Sequence, residues 1–168
     1  MLLHKLRYIL VITLISVQCM GQRDFDEKVN SLLDRSVPLI SSQQLSDSLE
    51  AGEEIILLDT RGEDEYAVSH LRGARFIDYD DFSIDMVSNL KKDSPIVIYC
   101  SVGYRSEKIG EKLLEAGYTK VFNLYGGIFG WKNSGRKVVN ADGLATDSVH
   151  TYNESWSKWL VKGVKVYD

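Results

Sequence analysis

At 168 residues the chain is long enough for one domain with its own core plus a short extension, and a 44% hydrophobic content is ordinary for such a fold. Its 20 Lys and Arg against 24 Asp and Glu give a net charge of −4 without a basic block, which offers little to a phosphate backbone and leaves nucleic acid outside the expected partners. Two prolines, no low-complexity tract and no internal repeat exclude long disorder and repeat architectures.

Lys5 and Arg7 precede the apolar run Tyr8–Val17, which leads into Gln18-Cys19-Met20-Gly21. A basic start, about ten apolar residues and small residues at a cut site predict a secretory signal peptide over residues 1–21, cleaved before Gln22. That makes the protein exported, into a periplasm. The alternatives are an uncleaved anchor and a lipoprotein held to the membrane through Cys19, although Gln18 stands where a lipidated cysteine is preceded by a small residue. Without the leader 147 residues remain, with 18 Lys and Arg against 24 Asp and Glu, a net −6, and Cys100 as the one cysteine. In a disulfide-permissive compartment such a cysteine is either an inert buried residue or a working thiol.

Residues 22–37 read as a lead-in with a short helix from Phe25 to Leu33, its apolar positions Phe25, Val29, Leu32 and Leu33 on one face. Ser41 or Ser42 caps a second helix through Glu50, closed by Gly52. Ile55–Asp59 is a continuous apolar run of strand length, as expected for a strand buried on both faces. A short helix at Glu63–Ser69, an extended piece at Ala74–Ile77 and a helix at Phe82–Leu90 come next. Pro95 opens a second buried strand, Ile96–Tyr99, which runs into Cys100-Ser101-Val102-Gly103-Tyr104-Arg105 and a helix over Ser106–Ala116. Val121–Leu124 is a third strand, and Gly126-Gly127 turns into a helix at Ile128–Lys132. In the extension, residues 136–168, Trp156, Trp159 and Leu160 share a helical face expected to pack on the domain, and Val164–Tyr167 reads as an edge strand. The alternation predicts an α/β fold with a mostly parallel sheet covered on both faces, and in such sheets sites form at the carboxyl ends of the strands. Asp59-Thr60-Arg61 and Cys100–Arg105 both lie at such ends.

A cysteine between a strand end and a helix start faces the unpaired N–H groups and positive dipole end of that helix, which favour a thiolate, the nucleophilic form. Arg105 can hold an anionic donor or favour the thiolate, or else be a solvated arginine or a partner for Glu107 or Glu111. Tyr104 shapes a pocket mouth or has no role. Ser101 donates a hydrogen bond or is there because a small residue fits. Asp59, Arg61 and His70 read as scaffold, Arg61 pairing with Glu65. His150 reads as structural. With two histidines and one cysteine after the leader, no metal site is expected, and no cofactor is needed.

Four segments in order resemble the rhodanese family over roughly residues 38–135: Leu58-Asp59-Thr60-Arg61 with Glu65-Tyr66, Ser69-His70-Leu71-Arg72-Gly73-Ala74, Ile98-Tyr99-Cys100 through Ser106, and Gly126-Gly127-Ile128 through Trp131. Ser69 and Arg72 depart from the glycine and proline of the family's Gly-His-Ile-Pro-Gly-Ala stretch. The resemblance implies a rhodanese-like α/β fold and a sulfurtransferase with Cys100 as persulfide carrier and Ser101, Val102, Gly103, Tyr104 and Arg105 as the loop that binds substrate. It also implies a small donor such as thiosulfate and an acceptor that is a thiol, cyanide or a thiol protein. Two other functions occur on this fold, a phosphatase or arsenate reductase and a non-catalytic binding module. The former have five residues between cysteine and arginine; here there are four, a loop suited to one sulfur atom.

Overall fold

The computed structural model describes residues 21–167, so the signal-peptide segment, apart from Gly21, lies outside the described residues. The chain divides after Leu32 into two units. In the first, residues 21–30 form helix α1. It stops short of the predicted Leu33: Ser31 turns its hydroxyl back to the Lys28 carbonyl (2.7 Å) and the Leu32 N–H goes to Val29 (3.0 Å), a tight turn that replaces the helical ladder.

The second unit is built on a five-stranded sheet. Its elements in chain order are β1 (Leu39–Ile40), α2 (Ser42–Glu50), β2 (Ile56–Asp59), α3 (Glu63–Val68), β3 (Arg75–Phe76), β4 (Ile96–Tyr99), α4 (Tyr104–Glu115), β5 (Val121–Leu124) and α5 (Gly127–Asn133). The sheet order is β1-β5-β4-β2-β3, every pairing parallel. Sequence and local physics agree at most boundaries. Ser41 caps α2 by accepting the Gln44 N–H while the Gln44 side chain accepts the Ser41 N–H, a reciprocal capping box.

The central strands explain the continuous apolar runs. Ile56, Ile96 and Val121 are in register, as are Leu58 and Ile98, and these side chains meet Ile109 and Leu113 of α4 in one core cluster. The alternate positions Leu57, Val97, Tyr99 and Leu124 are buried as well, so both sides of the strands are covered.

Phe82–Leu90 is the clearest departure: only Ile84–Val87 is helical, and it is a 3-10 turn. Ser83 caps it by accepting the Asp85 N–H, and Ser88 donates to the Asp85 carbonyl (2.8 Å), so short polar side chains take the backbone groups a longer helix needs. The extension forms two small ribbons, of which the sequence pattern predicts only the strand at Val164–Val166. β6 (Val138–Val139) pairs antiparallel with β7 (Ala145–Thr146), and β8 (Ser148–His150) pairs parallel with β9 (Val164–Val166), with α6 (Glu154–Ser157) between them. Val164–Val166 is thus a strand of a separate two-stranded sheet. β8 lies against α3, and Leu160 is fully buried. Among the described residues no helix is long and apolar enough to cross a membrane.

Candidate active site

The register Asp59↔Tyr99 brings the carboxyl ends of β2 and β4 side by side, and the Thr60 N–H donates to the Tyr99 carbonyl (2.9 Å). The segments leaving the two strands therefore meet at one edge: Arg61 and α3 after β2, Cys100 and α4 after β4. Beneath them Arg61 and Asp59, both fully buried, form a forked pair at 2.7 and 2.9 Å. Burial opposes the Arg61 charge, but the Asp59 carboxylate outweighs it and holds the guanidinium above its ordinary value. Arg61 therefore pairs with Asp59 rather than, as expected from sequence, with Glu65.

Cys100 comes directly after β4, and only Ser101, Val102 and Gly103 separate it from α4. The helix begins at Tyr104, two residues earlier than predicted, because Gly103 takes a left-handed backbone (φ +116°) as its N-cap. Arg105 accordingly sits in the first helical turn. That curl aims the Gly103 N–H at the Cys100 sulfur, with N to Sγ 3.1 Å. The Gly103 carbonyl is fixed elsewhere, accepting from Asn123 Nδ2 (2.9 Å) and the Glu107 N–H (3.0 Å), with Ser106 Oγ at 3.1 Å.

The Cys100 and Ser101 carbonyls are turned away by α5. The Ile128 N–H donates to the Cys100 carbonyl (2.9 Å) and the Phe129 N–H to the Ser101 carbonyl (3.1 Å). Gly126 and Gly127 both have positive φ, which lets α5 begin this close, and a Cβ on Gly127 would fall on the Cys100 carbonyl oxygen and within 2.7 Å of the Ser101 backbone. With the Cys100 and Ser101 carbonyls bonded to α5 and the Gly103 N–H facing the sulfur, the loop favours negative charge at Sγ. The first-turn amides of α4 add to it.

Glu65, in the first turn of α3, closes the loop from the β2 side. Its Oε1 accepts from Ser101 Oγ (2.9 Å) and Arg105 Nη2 (2.9 Å), and its Oε2 from Arg105 Nη1 (2.7 Å) and the Gly62 N–H (3.1 Å). Arg105 Nη2 also donates to Ser101 Oγ (3.0 Å). Burial alone raises the Glu65 carboxyl, but the hydrogen bonds and charge of Arg105, with Arg61 and the Gly62 N–H, outweigh it and hold Glu65 below the usual range. Arg105 is likewise held above its ordinary value: burial works against its charge, and Glu65 and the neighbouring Cys100 sulfur overcome it.

Of the loop residues singled out from sequence, Cys100, Ser101, Val102 and Gly103 are buried, Tyr104 is 45% exposed and Arg105 is partly buried against Glu65. Arg105 is neither solvated nor paired with Glu107 or Glu111: Glu107 accepts the Asp34 and Ser36 N–H groups, and Glu111 binds Ser36 and Lys108. His70 stacks on Tyr66 (centroids 3.9 Å apart), its Nδ1 lies 3.1 Å from the Tyr66 carbonyl, and its backbone bridges to Val139. Glu65 is the residue that sequence reasoning did not assign to the site. Its signal was a carboxylate in the turn after one strand end and a guanidinium after the next.

Residues 41–134 match the model of the rhodanese-like domain. A sulfurtransferase of Allochromatium vinosum is 36% identical over 104 residues, spanning 62% of this chain and 96% of that protein. The tRNA uridine(34) hydroxylase of Streptococcus thermophilus is 34% identical over 110 residues, which cover 62% of this chain but only 33% of the hydroxylase. Among solved structures, the rhodanese-like domain of an Anabaena protein superposes with a TM-score of 0.57 at 28% identity, covering 61% of this chain and 79% of that one. The thiosulfate sulfurtransferase of Pseudomonas aeruginosa superposes at 0.59 with 23% identity over 74% of this chain and 23% of its own, a likeness of fold. With the strand-end cysteine, its glycine-capped loop and the parallel five-stranded sheet, these matches establish that the chain belongs to the rhodanese-like family.

Proposed function

We propose that the protein is a sulfurtransferase that carries sulfane sulfur on Cys100 as a persulfide. The observation that carries this reading is the Gly103 N–H held 3.1 Å from Sγ in a loop whose Cys100 and Ser101 carbonyls bond α5. As a thiolate, Cys100 attacks the outer sulfur of a donor such as thiosulfate; the S–S bond of the donor breaks and its electron pair leaves with sulfite. The terminal sulfur of Cys100–S–S⁻ then lies among the amides of the loop and of the first turn of α4. A thiol, a thiol protein or cyanide attacks that sulfur and releases the Cys100 thiolate, so one covalent intermediate divides the transfer into two displacements. Ser101 and Arg105, tied together by Glu65, keep the loop in this shape. No step in this scheme calls for a metal or an organic cofactor. The reading includes export, which places the acceptor among the thiols of an oxidising compartment and favours a dedicated thiol protein.

The test is mass spectrometry of the purified chain after thiosulfate. One added sulfur per molecule is expected, removable by cyanide or dithiothreitol and absent in Cys100→Ser. An unchanged mass with a thiol that still alkylates overturns the reading in favour of a binding module. Turnover of a phosphate ester that depends on Cys100 overturns it in favour of a phosphatase.

A further inference from the structure

The rim of the Cys100 site extends beyond the matched domain. Tyr152 lies in the extension, 18 residues past the end of the family match at 134, yet its ring faces Arg105, with the guanidinium carbon 6.0 Å from the ring centroid. Tyr152 is 58% exposed and has a left-handed backbone, φ +66°, a region disfavoured for any side chain with a Cβ. Buried neighbours impose that conformation. Thr151 is fully buried and gives its N–H to the Val166 carbonyl (2.7 Å), the Tyr152 N–H goes to His150 Nδ1 (3.2 Å), and β8 just before it rests on α3, the helix that carries Glu65. An exposed aromatic held in a strained backbone by a buried frame contributes little to the core, and strain of this kind gathers at ligand-contacting positions.

The chemistry at this rim is specific. The guanidinium edge of Arg105 is occupied by Glu65 and Ser101, and Tyr152 faces the group as well. The Arg105 charge is thus already paired, and an incoming dianion meets the Glu65 carboxylate and the Cys100 thiolate together. A donor whose sulfane sulfur rides on an aromatic or apolar group carries one charge fewer and finds a ring to lie against. We propose that Tyr152 is a specificity-determining residue that favours organic sulfane donors over inorganic thiosulfate; this rests on the sulfurtransferase reading and names its donor class. With a thiosulfonate, the Cys100 thiolate attacks the outer sulfur, the bond from that sulfur to the sulfonyl sulfur breaks, and the electron pair leaves as the sulfinate. One thiolate and one thiosulfonate give one persulfide anion and one sulfinate, with no further oxidant or reductant.

The experiment measures kcat and KM of the full chain for benzenethiosulfonate and for thiosulfate, with cyanide as acceptor, in wild type and in Tyr152→Ala, Tyr152→Phe and Tyr152→Gly. The ratio of kcat/KM for the aromatic donor to that for thiosulfate is expected to fall roughly threefold to tenfold in the alanine variant, through KM, as loss of one aromatic contact implies. Phenylalanine restores the ratio. Glycine, which suits the left-handed backbone, behaves as alanine does and so assigns the effect to the ring rather than to folding. An equal loss with both donors, or no change, overturns the proposal. A second readout needs no sulfur transfer: the rate of Cys100 alkylation by N-benzyliodoacetamide relative to iodoacetamide falls in the alanine and glycine variants. If that ratio is unmoved, the role of Tyr152 is wrong whatever the sulfur chemistry. If it falls while neither donor loads sulfur onto wild-type Cys100, the sulfurtransferase reading is what fails, and the donor class with it.

Discussion

Glu65 accepts four hydrogen bonds at a site where it is 4% exposed, and two of them come from Arg105. Glu65→Gln keeps the shape but replaces one acceptor oxygen with an NH₂ that faces donors, so at neutral pH it is expected to cost about 1.5–3 kcal/mol, the range for hydrogen bonds to charged groups. Urea denaturation measures it. The lowered Glu65 carboxyl sets the sign with pH: its contribution is present above its ordinary value of 4.5 and is lost as pH falls through the smaller folded-state value. The gap between wild type and Glu65→Gln therefore closes in acid, and a gap that persists there contradicts the clamp. Cys100 and Arg105 were legible in the sequence because their residue types carry recognisable chemistry on their own. Glu65 was legible only as part of a family resemblance, because a carboxylate in a first helical turn has a sufficient local explanation as a helix-start charge. Only the adjacency of β2 and β4 shows what it binds.

At the scale of elements, the site depends on where two helices start. α4 starts at Tyr104 because Gly103 has a positive φ, and α5 starts against the loop because Gly127 has no side chain. Gly127→Ala puts a methyl group onto the Cys100 carbonyl, a backbone atom that cannot move without moving the loop. Sulfur loading of Cys100 is expected to fall by about tenfold or more, since a displacement on the order of 1 Å at a reacting group costs up to about a hundredfold. Loading at wild-type level would show that the α5 contact does not shape the loop. Gly110 gives a contrasting case within α4, where a Cβ would lie 2.6 Å from Ile98 Cδ1 and 2.8 Å from Val37 Cγ2. Gly110→Ala gains about 1 kcal/mol of helix propensity and loses about 1–3 kcal/mol to overpacking, so the net is destabilisation, read as a lower Tm. Helix and strand existence was readable wherever an apolar period ran uninterrupted, as in Ile96–Tyr99 and Val121–Leu124. It misled at Phe82–Leu90, where the period is helical but Ser83 and Ser88 spend their side chains on the backbone N–H and carbonyl of Asp85.

At the scale of the second unit, the parallel sheet was legible from alternating strands and helices, whereas of the ribbons of residues 136–168 only the strand at Val164–Val166 was. Those strands are two or three residues long, and their pairing of β8 with β9 joins positions too far apart in sequence for a local pattern to reveal. Asn133 of α5 holds the extension with three hydrogen bonds: it accepts the Val161 and Lys162 N–H groups (2.8 and 3.2 Å) at Oδ1 and donates from Nδ2 to the Trp159 carbonyl (2.9 Å). Asn133→Ala leaves these backbone groups to water, at a cost of about 1–3 kcal/mol. Its effect is expected to be local, with the first proteolytic cuts falling at 158–164 while Cys100 still loads sulfur. Because β8 and β9 frame Tyr152, loosening them also disorders the rim. The preference for benzenethiosulfonate over thiosulfate should then drop to the value of Tyr152→Ala, although the Asn133 side chain bonds residues 159, 161 and 162 rather than Tyr152. A variant that is cut at 158–164 yet keeps the wild-type preference would show that the extension holds Tyr152 by another route, and that the ribbon and the rim are independent.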